Sequence, residues 1–303
     1  MLNFKTITIE DKKAIDHCLS YKPSRSCNYC FTNLVAWNVR FNSEFAIVQD
    51  TLFVKFEDGG QTFYLFPTGK LSLEKAFEML KNDAQERKTP LVIKAVSEEM
   101  WQDINATFPN EFAYTTERHN YEYIYLAEKL IKLNGKKLQS KRNHINRFKF
   151  ENQDWEFRSI ESREDCYQCW NMLKEWENEQ ESADTSLQFE YLASKTMLCH
   201  FDELGLQGGM ILANGQIVAF SVGEPLTNDT FVMHIEKAHK DINGGYAIIN
   251  QQMAEHIAAN YKYINREEDL GIDTLRKAKL SYQPDILLAE GSVRQIGLTI
   301  VDC

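Results

Sequence analysis

Glu224, His234 and Glu236 have side chains suited to proton transfer, and each lies on or at the end of a strand-like apolar run. His234 precedes Glu236 by two positions, a spacing that puts both on one face of a regular strand. A carboxylate or imidazole there can take a proton from an attacking nucleophile, and Glu236 is the first candidate base. Arg266-Glu267-Glu268-Asp269 follows a further short strand. Its acids can orient an amino group, Asp269 is a reserve base, and Arg266 can grip a carboxylate or phosphate through two parallel hydrogen bonds. A plainer reading stands beside each: strand-end acids serve turns, Glu236 and Lys237 can form a structural ion pair, and four consecutive charges commonly make a solvated loop.

The elements that must position these residues are legible between Gly208 and Pro284. Asn214-Gly215 separates Met210-Ile211-Leu212 from Ile217-Val218-Ala219-Phe220, the strongest short-range hairpin signal. A third strand, Thr230 to Glu236, leads through Asn243-Gly244-Gly245 into a helix from Tyr246 to Asn260, followed by a strand from Tyr261 to Asn265 and a basic helix after Asp273. Amides at the Gly-Gly turn can hold an anion, although such a turn is more often ordinary loop punctuation. Upstream, helices are expected at Ile9–Leu19, at Phe31–Arg40 and from Leu73 with Ser72 as N-cap. Strands are expected at Phe45–Gln49, Leu52–Phe56, Thr62–Phe66, Leu91–Ala95 and Tyr121–Leu126. Helices over Ser162–Trp176 and Leu187–Leu204 complete the pattern.

This run, with Glu224, His234-Ile235-Glu236-Lys237-Ala238, Gly245-Tyr246, Asn265 to Gly271 and Leu275-Arg276-Lys277-Ala278-Lys279-Leu280-Ser281-Tyr282-Gln283-Pro284, resembles the C-terminal-domain family of phosphatidylglycerol lysyltransferase, within the GNAT acyltransferase superfamily. The resemblance extends to Leu133-Asn134-Gly135-Lys136-Lys137, to Lys141 through Phe148, and to Cys27-Asn28-Tyr29 with Phe31-Thr32-Asn33-Leu34 and Trp37. It implies an α+β chain of two tandem GNAT-like domains: a degenerate one over residues 1–128, a basic connector over 129–150, and a domain over 151–303 that carries the active site. It also implies a splayed strand at Thr230–Glu236, with Lys237, Asn243, Gly244, Gly245 and Tyr246 about the donor's phosphates. Substrate contacts are expected from Lys141, Arg142, Arg147, Arg266, Glu267, Glu268, Arg276, Lys279 and Tyr282. Lys240-Asp241-Ile242-Asn243-Gly244-Gly245 departs from the acetyltransferase signature of Arg or Gln followed by Gly-x-Gly or Gly-x-Ala, which counts against acetyl-CoA. Fem peptidoglycan-bridge transferases, which use aminoacyl-tRNA, are similar in the segment after Asp269.

Composition bounds these readings. With 303 residues, 43% hydrophobic and 26% charged, the chain has the make-up of a globular protein large enough for two domains. Met1 to Ser20 lacks the apolar centre of a signal peptide, and no run approaches the roughly 20 apolar residues of a membrane span, so a stand-alone cytoplasmic protein with at most peripheral membrane contact is expected. A net charge of -10 opposes RNA in general, yet from Lys129 to Lys149 there is no acid, a stripe suited either to solvent or to a phosphate backbone. Seven cysteines suit a reduced protein, and the pairs Cys27/Cys30 and Cys166/Cys169 read as buried thiols in preference to a zinc site. No metal and no tightly bound cofactor are expected. The leading reading is an aminoacyltransferase that takes its group from aminoacyl-tRNA to an amine or hydroxyl acceptor on a small molecule, lipid or peptide. The alternatives are an acyl-CoA-dependent N-acyltransferase and a non-catalytic binding module.

Overall fold

Short apolar runs punctuated by turn residues build two units, each around one mixed sheet, in the computed structural model of the chain, which describes residues 2–178 and 185–296. Of the described residues, the first unit comprises 2–23, 28–122 and 288–296. Its strands are β1 (Lys5–Thr6), β2 (Glu44–Val48), β3 (Thr51–Asp58), β4 (Gln61–Leu65), β5 (Thr68–Gly69), β6 (Val92–Ser97) and β7 (Phe112–Thr116). Its helices are α1 (Lys12–Leu19), α2 (Phe31–Ala36), α3 (Asn38–Phe41), α4 (Leu73–Glu86) and α5 (Glu98–Thr107). Ser72 caps α4 as expected, its hydroxyl accepting the Lys75 amide, and Ala76, Phe77, Leu80 and Ala84 turn one apolar face inward. The single helix expected over Phe31–Arg40 is divided at Trp37 into α2 and α3.

Of the described residues, the second unit comprises 24–27, 123–178 and 185–287. Its strands are β8 (Glu122–Leu126), β9 (Glu156–Ser159), β10 (Gln207–Ala213), β11 (Gln216–Pro225), β12 (Thr230–Ala238), β13 (Tyr263–Asn265) and β14 (Ile286–Leu288), in the order β14-β8-β13-β12-β11-β10-β9. Its helices are α6 (Ala127–Lys132), α7 (Gln139–Glu151), α8 (Arg163–Asn178), α9 (Thr185–Cys199), α10 (Phe201–Leu204), α11 (Gly245–His256) and α12 (Asp273–Leu280). Asn214 and Gly215, with φ of +50° and +72°, make the two-residue turn between β10 and β11 that their identities dictate. The α+β class and the pair of mixed sheets accord with the tandem GNAT-like expectation.

The chain passes between the units at other points than the expected domain limits. The basic segment 129–150 is no bridge: Leu130, Leu133, Leu138, Ile145 and Phe148 pack into the second unit's core with Ile248, Ile249, Met253 and Ala254 of α11. Its apolar positions recur at helical spacing, so α6 and α7 bury one face and leave lysines on the other. The last described strand, β15 (Glu290–Gln295), pairs with β6 and β7 in the first unit's sheet, whereas β8 from the first half serves the second. No alternation marks Glu290-Gly291-Ser292-Val293-Arg294-Gln295, so sequence reasoning leaves it without a strand.

Two features of the second sheet prepare the site. β12 and β13 run parallel and pair only at Thr230–Val232 with Tyr263–Asn265, after which β12 continues alone on that side to Ala238. A bulge on β12 inserts His234, since Gly223 and Val222 of β11 oppose Met233 and Ile235. Residues three apart on a regular strand face opposite sides. Here Met233 and Glu236 both reach Asn250 of α11, at 4.0 and 2.8 Å, because of the extra residue. His234 therefore does not share the face of Glu236, contrary to the spacing argument.

Gly244 is held at φ +82°, and a Cβ built there would lie 2.3 Å from the His144 carbonyl oxygen of α7. Gly244→Ala combines a left-handed strain with a backbone clash and is expected to destabilise the protein by about 2–4 kcal/mol. Urea unfolding measures it, and a loss under about 1 kcal/mol would refute the required close approach of α7.

Candidate functional site

Where β12 and β13 part, their side chains reach across the gap. Arg266, the first residue after β13, donates from Nε to Glu236 Oε2 at 2.7 Å, and Asn250 donates to Glu236 Oε1 at 2.8 Å. Both carboxylate oxygens of the expected base are thus engaged. The guanidinium lies 4.8 Å from the Tyr282 ring centroid and 5.7 Å from that of Tyr125. The Arg266 side chain is 11% exposed, and its Nη1 is buried without a hydrogen-bond partner. Lys141 of α7 sets its ammonium 4.2 Å from the centroid of the same Tyr282 ring, and burial, then Arg266, hold its pKa below the ordinary lysine value. Burial pushes the Tyr282 phenol up to about 12. Tyr282 is accordingly a neutral ring that both cations approach.

His234 forms a second group. Its side chain is fully buried, with Nδ1 2.9 Å from Glu267 Oε1 and Nε2 3.1 Å from Glu224 Oε1. Ionised carboxylates only accept, so a ring protonated on both nitrogens serves both neighbours, while a neutral ring serves one. Glu267 adopts φ +58°, unusual for a side-chain-bearing residue, and is held there by its amide to Asn265 Oδ1 at 2.7 Å and its carbonyl to the Tyr123 amide at 3.1 Å. The loop containing it is braced by Lys279, which is buried and donates to the carbonyls of Arg266 and Glu268. Cys27 Sγ lies 3.8 Å from Glu268 Oε2.

The remaining expected residues are distributed differently. Asp269 is buried, takes two hydrogen bonds from Arg276 at 2.8 and 2.9 Å, and accepts from Tyr123 at 2.5 Å and from the Gly271 amide at 2.9 Å. Burial alone would push its carboxyl up, but Arg276, Tyr123 and the amide draw it down to about 2. A carboxylate held this way is a poor base, and Arg276 is committed to it. Arg142 binds the Leu133 and Gly135 carbonyls, and Arg147 pairs with Glu151 on the surface of α7. Lys237 is buried against the Trp176 ring, 3.6 Å from its centroid, and pairs with Glu190.

In the Asn243–Tyr246 turn several groups are bonded locally. The Gly245 amide donates to Ile242, the Ala247 and Ile248 amides to Gly244, the Asn243 side chain to Glu151, and the Tyr246 hydroxyl accepts from Trp176. Gly244 makes room for α7. Sequence reasoning missed Asn250, Tyr123 and Tyr125, although tyrosines two apart on a strand form a one-sided pair. Burial pushes the Cys166 thiol up to about 11. Among the described residues no helix is long and apolar enough to cross a membrane.

Residues 20–289 match the family described as phosphatidylglycerol lysyltransferase, C-terminal. A crystal structure of a conserved protein of unknown function from Bacteroides thetaiotaomicron is 39% identical, with a TM-score of 0.90 over 97% of this chain and 100% of that one. L-PGS from Bacillus licheniformis is 14% identical with a TM-score of 0.67 over 98% and 94% of the two chains, a likeness of fold alone. An uncharacterized protein of Mycoplasmoides gallisepticum is 25% identical over 57% of this chain, and the match spans 56% of that curated relative.

The Asp269 clamp has a pH signature. Its carboxyl is depressed from 3.8 to about 2 in the folded chain. Its stabilisation, about 2 kcal/mol, is therefore complete above the unfolded value and disappears as pH falls toward 2. Asp269→Asn is expected to lose about 3 kcal/mol at pH 7, with the gap to wild type narrowing below about pH 4. Urea unfolding across that range tests it; a gap constant with pH would exclude an ionised clamp.

Proposed function

The chain belongs to the phosphatidylglycerol lysyltransferase C-terminal family, and from that premise we propose that it is an aminoacyltransferase whose chemistry occurs in the second unit, where β12 and β13 part. The fold is acyltransferase-like. The donor in this reading is an aminoacyl-tRNA, and the acceptor an amine or hydroxyl on a small molecule, lipid or peptide. The observation that carries the reading is the opening beyond Val232 and Asn265, flanked by a bulged histidine between two carboxylates on one side and by the Glu236–Arg266 pair on the other.

Transfer requires the acceptor nitrogen or oxygen to attack the acyl carbon while the ester bond to the tRNA ribose breaks. The acceptor's proton goes to Glu267, the most exposed of the three linked groups at 19%, and the chain through His234 to Glu224 shares the charge. The ribose oxygen leaves with a proton returned by the same chain. Glu236, with both oxygens on Arg266 and Asn250, holds the guanidinium in position.

Glu267→Gln is expected to bind charged tRNA as wild type does and to lose about 100-fold to 10,000-fold in turnover with a labelled aminoacyl group. Unchanged turnover would remove Glu267 and His234 from the reaction. Incubation with bulk charged tRNA and, separately, with acyl-CoAs, followed by native mass spectrometry, tests the donor. Binding of acyl-CoA alone would replace the tRNA reading.

Lys136 and Lys137 are exposed, whereas Lys129 and Lys132 pair with Asp285 and Glu128. Reversing Lys136 and Lys137 to Glu is expected to weaken tRNA binding and to flatten its dependence on log salt by roughly 1.5. An unaltered slope would count against RNA on this stripe.

A further inference from the structure

A buried guanidinium nitrogen without an acceptor is rare, because its protons have exchanged water for nothing. Nη1 of Arg266 is such an atom, while Nε of the same group is satisfied by Glu236. Beside it, Lys141 is partly buried with its ammonium on the Tyr282 ring, and the Arg266 guanidinium lies on that ring too, at 4.2 and 4.8 Å from its centroid. Burial and Arg266 both disfavour the Lys141 charge, and no carboxylate offsets them. Lys279, a third cation in the neighbourhood, is committed to the carbonyls of Arg266 and Glu268. Glu236 therefore neutralises one positive charge where two more adjoin it, and the unfilled donor belongs to Arg266, where β13 ends beside the continuing β12.

We infer that this opening holds an oxyanion, a carboxylate or a phosphate, received by Nη1 of Arg266 and the ammonium of Lys141. Such a ligand supplies the missing acceptor and relieves the repulsion between the two cations, and the forked guanidinium keeps Nε on Glu236 while Nη1 turns to the ligand. The site differs from a helix N-terminal anion cradle, since it is made of side chains at the end of β13 and on α7. It is read by binding alone, so it stands or falls separately from the transfer reaction above.

The test uses the full chain with its lysines reductively methylated with carbon-13, the Lys141 signal being identified by its loss in Lys141→Arg. Inorganic phosphate and sodium acetate are titrated at ionic strength held constant with chloride. The expected result is a saturable shift of the Lys141 signal and a rise in its apparent pKa. A response to phosphate alone assigns the site to a phosphate-bearing ligand, and a response to acetate assigns it to a carboxylate. Arg266→Lys keeps the charge and removes Nη1, and is expected to weaken the response at least tenfold. As a second arm, the anion-induced rise in Tm is compared between wild type and Lys141→Gln, in which it should shrink. A Lys141 signal that moves no more with phosphate or acetate than with chloride overturns the inference and leaves Nη1 to water alone, as does a Tm rise identical in the two proteins.

Discussion

The ion pair between Glu236 and Arg266 spans the place where the second sheet opens. β13 ends at Asn265 while β12 runs on to Ala238, so beyond Val232 the edge of β12 has no ladder partner on that side. Here a charge-assisted hydrogen bond crosses that space, Asn250 fixes the other carboxylate oxygen, and the rings of Tyr125 and Tyr282 flank the guanidinium. Removing one partner of so buried a pair typically costs about 3–5 kcal/mol, because the other charge remains without compensation. Lys141 meets the same Tyr282 ring as Arg266, and the loop after β13 begins at Arg266 itself.

Much of the charge in the second unit serves to build the opening. Asp269 and Arg276 brace the loop at one end, Lys279 holds its carbonyls from beneath, and Arg142 clamps the turn between α6 and α7. Hydrogen bonds to charged groups contribute about 1.5–3 kcal/mol each, enough to hold Glu267 in a left-handed conformation that costs about 1–3 kcal/mol. The strained residue is also the one through which the buried histidine meets the opening.

How far the sequence discloses this differs by residue. The hairpin at Asn214-Gly215 was legible because only a few residue types adopt its φ angles, and Ser72 because its cap is local. Family membership was legible from motif residues spread along the chain. The partners of the candidate residues were not legible: Asp269 reads as a free acid until Arg276 and Tyr123 close on it, and Gly244 as a phosphate turn until α7 is seen against it. Those partners are far away along the chain, and neither propensity nor spacing reports them.

Local backbone chemistry and periodicity determined the elements themselves, since caps, turns and apolar faces depend on neighbours within a few residues. Only tertiary structure decided the bulge at His234, which follows from the register of β11 against β12 and moves His234 off the face of Glu236. It likewise decided that β15 completes the first sheet and that the basic segment joins the second core. The reason is physical: a strand without alternation gains its place by pairing, and an ion pair exists only once folding has brought its two charges to the same buried point.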